Sequence, residues 1–201
     1  MANVFLVRHG SFDGMRDRLL GRTDVCLNKQ GRLETSRAAE ACRRLGIGAV
    51  ISSPRRHAQE TAAIIATVAG CRVEIADEFD DVDYGAWTGK SFSDLVSDPE
   101  WCHFNDAGSD ARIPGGETVE GLSARIRCGL DRIAQDDIGE VVVVTHAEII
   151  SGALLLAASS MWSVYEPEPA SITPVRWSVT MPRVTLQLKT SDVPQPARRS
   201  A

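Results

Sequence analysis

No CxxC pair, no long apolar run and no block of basic residues occurs in this sequence. Each absence excludes a class of protein. The five cysteines, Cys26, Cys42, Cys71, Cys102 and Cys128, are odd in number and widely spaced. That pattern reads as reduced thiols of a cytoplasmic protein, not as a disulfide framework or a zinc site. The N-terminus has no basic segment leading into an apolar one, so no secretory signal is expected. No apolar stretch approaches the roughly 20 residues that cross a bilayer. Ile149 to Ala158 is too short, and Ser151 interrupts it. A net charge of −5 argues against a nucleic-acid partner. Basic residues gather only locally, at Arg16, Arg18 and Arg22 and at Arg55 and Arg56. Such clusters in an acidic chain suit a small anionic ligand.

Three nucleophile and nucleotide motifs are also missing. Without G-x-S-x-G there is no serine elbow. Without G-x-x-x-x-G-K-[ST] there is no P-loop, and no G-x-G-x-x-G follows a strand.

The 201 residues present suit one domain, read here as residues 1–190 with an irregular insertion at about 77–116. The tail 191–201 carries no core pattern and reads as disordered. Elements alternate along the chain. Asn3–Val7 is a strand, and a helix runs from Lys29 to Leu45. Asn28 is its expected N-cap, Gly46 its stop, and Leu33, Ala41 and Leu45 fall near helical spacing. Ala49–Ile51 is a strand, followed by a helix from about Arg55 to Val68. Cys71–Ala76 reads as a third strand. A short helix is expected near Ser91–Val96 and a longer one from Glu117 to Gln135. Val141–Val144 is a continuous β-branched run, as in a sheet covered on both faces. A helix over Ala147–Ser159 and late strands near Ser171–Thr180 and Val184–Leu188 complete the order. This alternation predicts an α/β fold, a three-layer α/β/α sandwich with a mostly parallel sheet.

Three strands of such a sheet deliver polar groups at their carboxyl ends, where open α/β sheets bind ligands. The first delivers Arg8-His9-Gly10. The second delivers Ser52, Ser53, Arg55, Arg56 and His57. The third delivers Thr145-His146. Arginine grips phosphate with a planar fork of donors, and histidine serves as nucleophile, acid or base near neutral pH. Glycine at position 10 lets the backbone approach a ligand. The histidines have arginine neighbours instead of carboxylates or cysteines, which argues against a bound metal. A His-plus-Arg pocket suits phosphoryl transfer to a histidine. A leaving alcohol then needs a proton, and the carboxylate-rich stretch Asp77 to Gly85 supplies candidates. Trp87, Trp101 and Phe104 either stack on a ligand or close the core, and the core reading is preferred.

Taken together, these residues resemble the histidine phosphatase superfamily, the phosphoglycerate mutase-like family. Arg8-His9-Gly10 is similar to its signature. Leu20-Gly21-Arg22-Thr23-Asp24 with Leu27 and Gly31 is similar to its G-R-x-D-x-x-L-x-x-x-G segment. Ser52-Ser53-Pro54 with Thr61-Ala62, Tyr84 to Gly89, Pro114-Gly115-Gly116-Glu117 and Thr145-His146 follow in the family's order. The branch it most resembles is that of small cytosolic phosphatases such as α-ribazole phosphatase. The resemblance implies a phosphoglycerate mutase-like fold and no metal or organic cofactor. It implies His9 as the nucleophile that becomes phosphorylated, and Arg8 and His146 as the clamp on the phosphoryl oxygens. Asp81, four residues before Gly85, takes the position of the family's acid. Gly21, Arg22 and His57 fall at substrate-binding positions.

Two of these positions depart from the family pattern. Asp81 stands where glutamate is usual, one methylene shorter. His57 stands where a second pocket arginine is expected, and a neutral imidazole supplies neither its charge nor its fork. Helical spacing turns Arg55 and Arg56 away from position 57. Glu148, two residues after His146, reads as a first-turn carboxylate of the following helix. The resulting expectation is a phosphomonoesterase acting on a small phosphorylated metabolite, with neither nucleic acid nor membrane as partner. The alternatives are a catalytically impaired phosphate-ester binding or regulatory protein, and a phosphomutase. A protonated His57 would give an optimum at mildly acidic pH.

Overall fold

In a computed structural model the described residues are 1–107, 112–136, 138–158 and 166–179. They form a five-stranded sheet between two pairs of helices. The strands are β1 (Ala2–Arg8), β2 (Ala49–Ser52), β3 (Val73–Ile75), β4 (Glu140–Thr145) and β5 (Ile172–Trp177). Their order across the sheet is β3-β2-β4-β1-β5. Four strands run parallel, and β5 closes one edge antiparallel to β1. Pro174 sits on that edge strand, where a missing N–H costs no central ladder bond. The partner suggested for it at Val184–Leu188 lies outside the described residues, as does the tail 191–201.

The helices are α1 (Lys29–Leu45), α2 (Arg56–Ala69), α3 (Phe92–Leu95), α4 (Pro99–Ala107), α5 (Val119–Gln135) and α6 (Ala147–Ala158). Alternation along the strands sorts them to the two faces. Val7, Val50, Val142 and Val144 meet Ala39 and Cys42 of α1 and Ala58, Ala62, Ile65 and Ala66 of α2. Val4, Leu6, Ile51, Val141 and Val143 meet α5 and α6 through Ile126, Leu130, Ile133, Ile149, Ile150 and Ala153. No helix among the described residues is long and apolar enough to cross a membrane.

Helix α1 buries a different stripe from the one its leucines suggest. Leu33 and Leu45 are exposed, and Gly31, Thr35, Ala38, Ala39 and Cys42 face inward. Small residues let α1 pack close to its neighbours, and bulky ones at these places would hold it off. Its ends follow the sequence: the Asn28 side chain accepts from the Gly31 N–H, and Gly46 adopts the left-handed conformation at φ 69°. The third strand is shorter than expected and exposed along its length, as an edge strand permits.

The irregular segment after β3 holds 3-10 turns at Asp77–Phe79 and Gly85–Trp87, then α3 and α4. Helix α4 is an addition to the sequence reading. Trp87 is fully buried and takes Trp101 and Phe104 edge-on at 5.2 and 5.4 Å. These aromatics close a core over the second sheet face instead of stacking in an open groove.

Candidate active site

The carboxyl ends of β2, β4 and β1 lie side by side, because β4 pairs with both neighbours. Backbone bonds carry that pairing past the strands: His9 N–H donates to Thr145 O at 3.0 Å, and Ser53 N–H to Val144 O at 2.9 Å. Register alone therefore brings His9, Ser53 and His146 together. His57 joins them from the first turn of α2, which Asp24 caps by accepting from the Arg56 N–H at 3.1 Å.

Three imidazoles result, all buried. Ring centroids are 4.3 Å apart for His9 and His57, and 5.2 Å for His146 with each of the others. Phe12 stacks on His9 at 5.4 Å. His9 Nδ1 lies 2.9 Å from the Gly10 carbonyl. A carbonyl only accepts, so we assign the His9 proton to Nδ1, which leaves the Nε2 lone pair free. His146 Nε2 lies 2.8 Å from Ser53 Oγ, and its Nδ1 lies 3.3 Å from Asp81 Oδ2.

Gly10 is required for a reason other than ligand approach. A side chain there would collide with the Gly31 carbonyl and Thr35 Oγ1 of α1. Gly31 in turn lies against the Ser11 backbone. Thr61 Oγ1 accepts from the Gly10 N–H at 3.1 Å and donates to the His57 carbonyl at 2.8 Å, tying two histidine-bearing turns together.

The loop that carries Asp81 is fastened from two sides. Thr145 Oγ1 donates to the Phe79 carbonyl at 2.7 Å. Arg125 of α5 donates to the carbonyls of Glu78, Asp80 and Asp81 at 3.0, 2.7 and 3.1 Å, and Glu117 holds its guanidinium at 2.6 and 3.0 Å. Sequence reasoning missed Arg125, which follows the Pro114-Gly115-Gly116-Glu117 motif by a helical span. It also missed Ser53 as the partner of His146. The S-S-P motif was the available signal for Ser53.

A cavity of about 440 Å³ opens over the histidines. Arg8, His9, His57, Asp81 and His146 line it, and so does Gly21. Arg16 and Arg18 stand on its wall, as do Tyr84 and Glu148. Arg22, expected at a substrate-binding position, does not line it. Its guanidinium is drawn toward Asp80, Asp83 and Glu117 at 3.4 to 3.7 Å and donates to the Asp81 carbonyl. Arg55 is likewise turned away, with Nε paired to Asp80 Oδ1 at 2.8 Å and Nη1 donating to the Arg22 carbonyl at 2.6 Å. Neither arginine replaces the charge missing at position 57. Arg8 gives Nη1 to the Pro167 carbonyl at 2.6 Å, while its Nε is buried with no partner among the described residues.

Burial sets the protonation of the group. It holds His9 and His146 well below the ordinary histidine value, and the neighbouring imidazoles push in the same direction. It lowers His57 to about 4, against partial opposition from Asp24. A protonated His57 near pH 6.5 therefore does not describe the free site. Burial raises Asp81 well above the usual carboxylate range, and the Glu148 carboxylate raises it further. Glu148 is thus both a first-turn residue of α6 and a neighbour of the acid. Neutral imidazoles beside a protonated carboxyl can accept a phosphoryl group and supply a proton.

Comparison with known proteins agrees with this layout. Residues 4–188 match the profile of the histidine phosphatase superfamily (branch 1). The chain is 35% identical over 158 residues to a bifunctional protein of Mycobacterium tuberculosis, covering 77% of this chain and 43% of that protein. It therefore spans less than half the length of that relative. It is 33% identical over 150 residues to a probable phosphoglycerate mutase of an Enterobacter species, covering 73% and 70% of the two chains. Among solved structures, a mycobacterial glucosyl-3-phosphoglycerate phosphatase superposes with a TM-score of 0.80 at 22% identity, over 92% of this chain and 97% of that one. A candidate α-ribazole-5′-P phosphatase from Escherichia coli gives 0.79 at 17% identity, over 92% and 94%. Motif order, sheet topology and the profile match converge on one conclusion: this chain belongs to the histidine phosphatase superfamily.

Proposed function

We propose that this chain is a phosphomonoesterase, hydrolysing a small phosphorylated metabolite through a phosphohistidine on His9. The observation that carries the reading is the His9 tautomer. Nδ1 is committed to the Gly10 carbonyl at 2.9 Å, so Nε2 is the atom left to attack phosphorus. The Nε2–P bond forms as the ester P–O bond breaks. Asp81, on the same cavity wall and raised in pKa by burial, gives the departing alkoxide its proton. Water then attacks the phosphohistidine, with the Asp81 carboxylate accepting a proton from it, and inorganic phosphate leaves. Arg8 supplies fixed positive charge to the equatorial oxygens, and its Nε, without a partner among the described residues, is a further donor.

A second reading, a phosphate-ester binding or regulatory protein of impaired catalysis, has one observation in its favour. His57 is buried and uncharged where the family pattern has arginine. Incubation with a generic aryl phosphate, followed by trapping of an acid-labile phosphoenzyme, decides between them. Turnover with free phosphate released, abolished by His9→Ala, supports the phosphatase. No turnover and no trapped phosphoenzyme between pH 4 and 8, with phosphate esters still bound, supports the second reading. Phosphate retained on the product pool would indicate a mutase.

A further inference from the structure

We infer that His9, His57 and His146 form a binding site for a divalent first-row transition metal ion of the zinc type. The three rings are buried, and one ligand nitrogen from each lies within 4.8 Å of the other two. His57 Nε2 stands 3.4 Å from His146 Nδ1. Tetrahedral ligands about 2.0–2.1 Å from zinc are themselves about 3.3–3.4 Å apart. Asp81 Oδ2, 3.3 Å from His146 Nδ1, sits at the same spacing and offers a fourth donor.

The surroundings of the rings point the same way. A metal-bound imidazole generally donates its other N–H to a fixed acceptor. His9 Nδ1 has the Gly10 carbonyl at 2.9 Å, and His146 Nε2 has Ser53 Oγ at 2.8 Å. With those nitrogens donating, His9 Nε2 and His146 Nδ1 keep their lone pairs. Among the described residues His57 Nδ1 is buried facing the Val25 backbone without a close hydrogen bond, and Nε2 has the weak 3.4 Å contact with His146. An ion on Nε2 would replace that weak contact with a full bond.

Arginine neighbours in the sequence argue against a cation here, but the fold disposes of most of them. Arg22 and Arg55 face Asp80 outside the cavity. Arg8 stands 3.6 Å from Glu166. The cavity wall sets Asp81, Glu148, Glu166 and Glu168 against Arg8, Arg16 and Arg18. The residue that makes the triad is His57, at the position where a guanidinium would repel an ion. The site therefore follows from this chain's own departure from the family pattern. It stands whether or not the chain hydrolyses phosphate. If it does, the ion occupies the His9 lone pair and blocks phosphoryl transfer.

The test uses the full chain after chelator treatment. Cobalt(II) binding is followed by visible d–d absorption and zinc binding by calorimetry. One ion per chain, tetrahedral in its cobalt spectrum, is expected, with affinity lowered about 100-fold or more in both His57→Arg and His9→Gln. Circular dichroism confirms that each variant is folded. No stoichiometric binding, equal binding by both folded variants, or a thiolate-to-cobalt band placing the ion on cysteine would overturn the site. Phosphate release by the metal-free protein is measured separately, so loss of the phosphatase reading and loss of the metal site are told apart.

Discussion

His57 Nε2 lies 3.4 Å from His146 Nδ1, so two buried neutral imidazoles meet on the wall where the proposed phosphoryl group would sit. Dianionic phosphate in that pocket is opposed by Arg8 but by no fixed charge at position 57. Placing a guanidinium there should stabilise the equatorial oxygens of the transition state. His57→Arg in metal-free protein is expected to raise kcat/KM for an aryl phosphate tenfold or more, which is about 1.4 kcal/mol. An unchanged kcat/KM in steady-state assays would show that position 57 does not face the transferring group.

The same burial makes the fold sensitive to acid. In the unfolded chain a histidine takes up its proton near pH 6.5, and His57 in the fold does so at about 4. Between those values the unfolded chain binds more protons, so stability is full above 6.5 and falls as the pH drops toward 4. The full shift at His57 corresponds to about 3 kcal/mol. His9 and His146 add to the same trend. Thermal melts should show Tm falling steeply through this window. The fall should be shallower in His57→Asn, and parallel curves for the two proteins would refute the assignment.

Much of this arrangement is legible in the sequence, and the misses have physical causes. Apolar strand runs ending in Arg8-His9, Ser52-Ser53 and Thr145-His146 point to one rim, because a parallel sheet puts all carboxyl ends on one side. The buried stripe of α1 is not legible in its leucines, because leucine signals burial more strongly than Gly31 or Ala38, yet a close helix approach selects the small residues. Arg22 reads as a pocket cation, since no local pattern shows that Asp80, Asp83 and Glu117 draw its guanidinium away. Arg125 sits 44 residues from the Asp81 carbonyl it holds, a relation no local pattern records.

Gly31 is where the site loop and α1 touch. A methyl group there would fall on the Ser11 backbone, which cannot rotate aside as a side chain would. Ser11 N–H is also held by Glu34 of the same helix at 3.0 Å, so the loop has little room to retreat. Gly31→Ala is expected to destabilise the fold by about 1–3 kcal/mol, as overpacking does. It should also lower kcat, because Ser11 follows His9-Gly10 directly. Urea denaturation checks the first effect. A midpoint equal to that of the unmodified chain would mean that the loop accommodates the methyl group freely.

Glu148 tunes the proposed acid. Burial raises Asp81 most, and the charge of Glu148 raises it further. Asp81 can donate a proton only below its pKa, so kcat/KM should fall as the pH rises through that value. Removing the Glu148 charge makes ionised Asp81 easier to form. Its pKa then drops, and the alkaline limb of the pH profile moves to lower pH. Glu148→Gln keeps a carbonyl oxygen toward Tyr84, whose hydroxyl bonds to this side chain, so packing is conserved while charge is lost. Asp81→Asn should remove the limb altogether together with most of the turnover. A limb that stays in place, or moves to higher pH, in Glu148→Gln would show that the acid is another group.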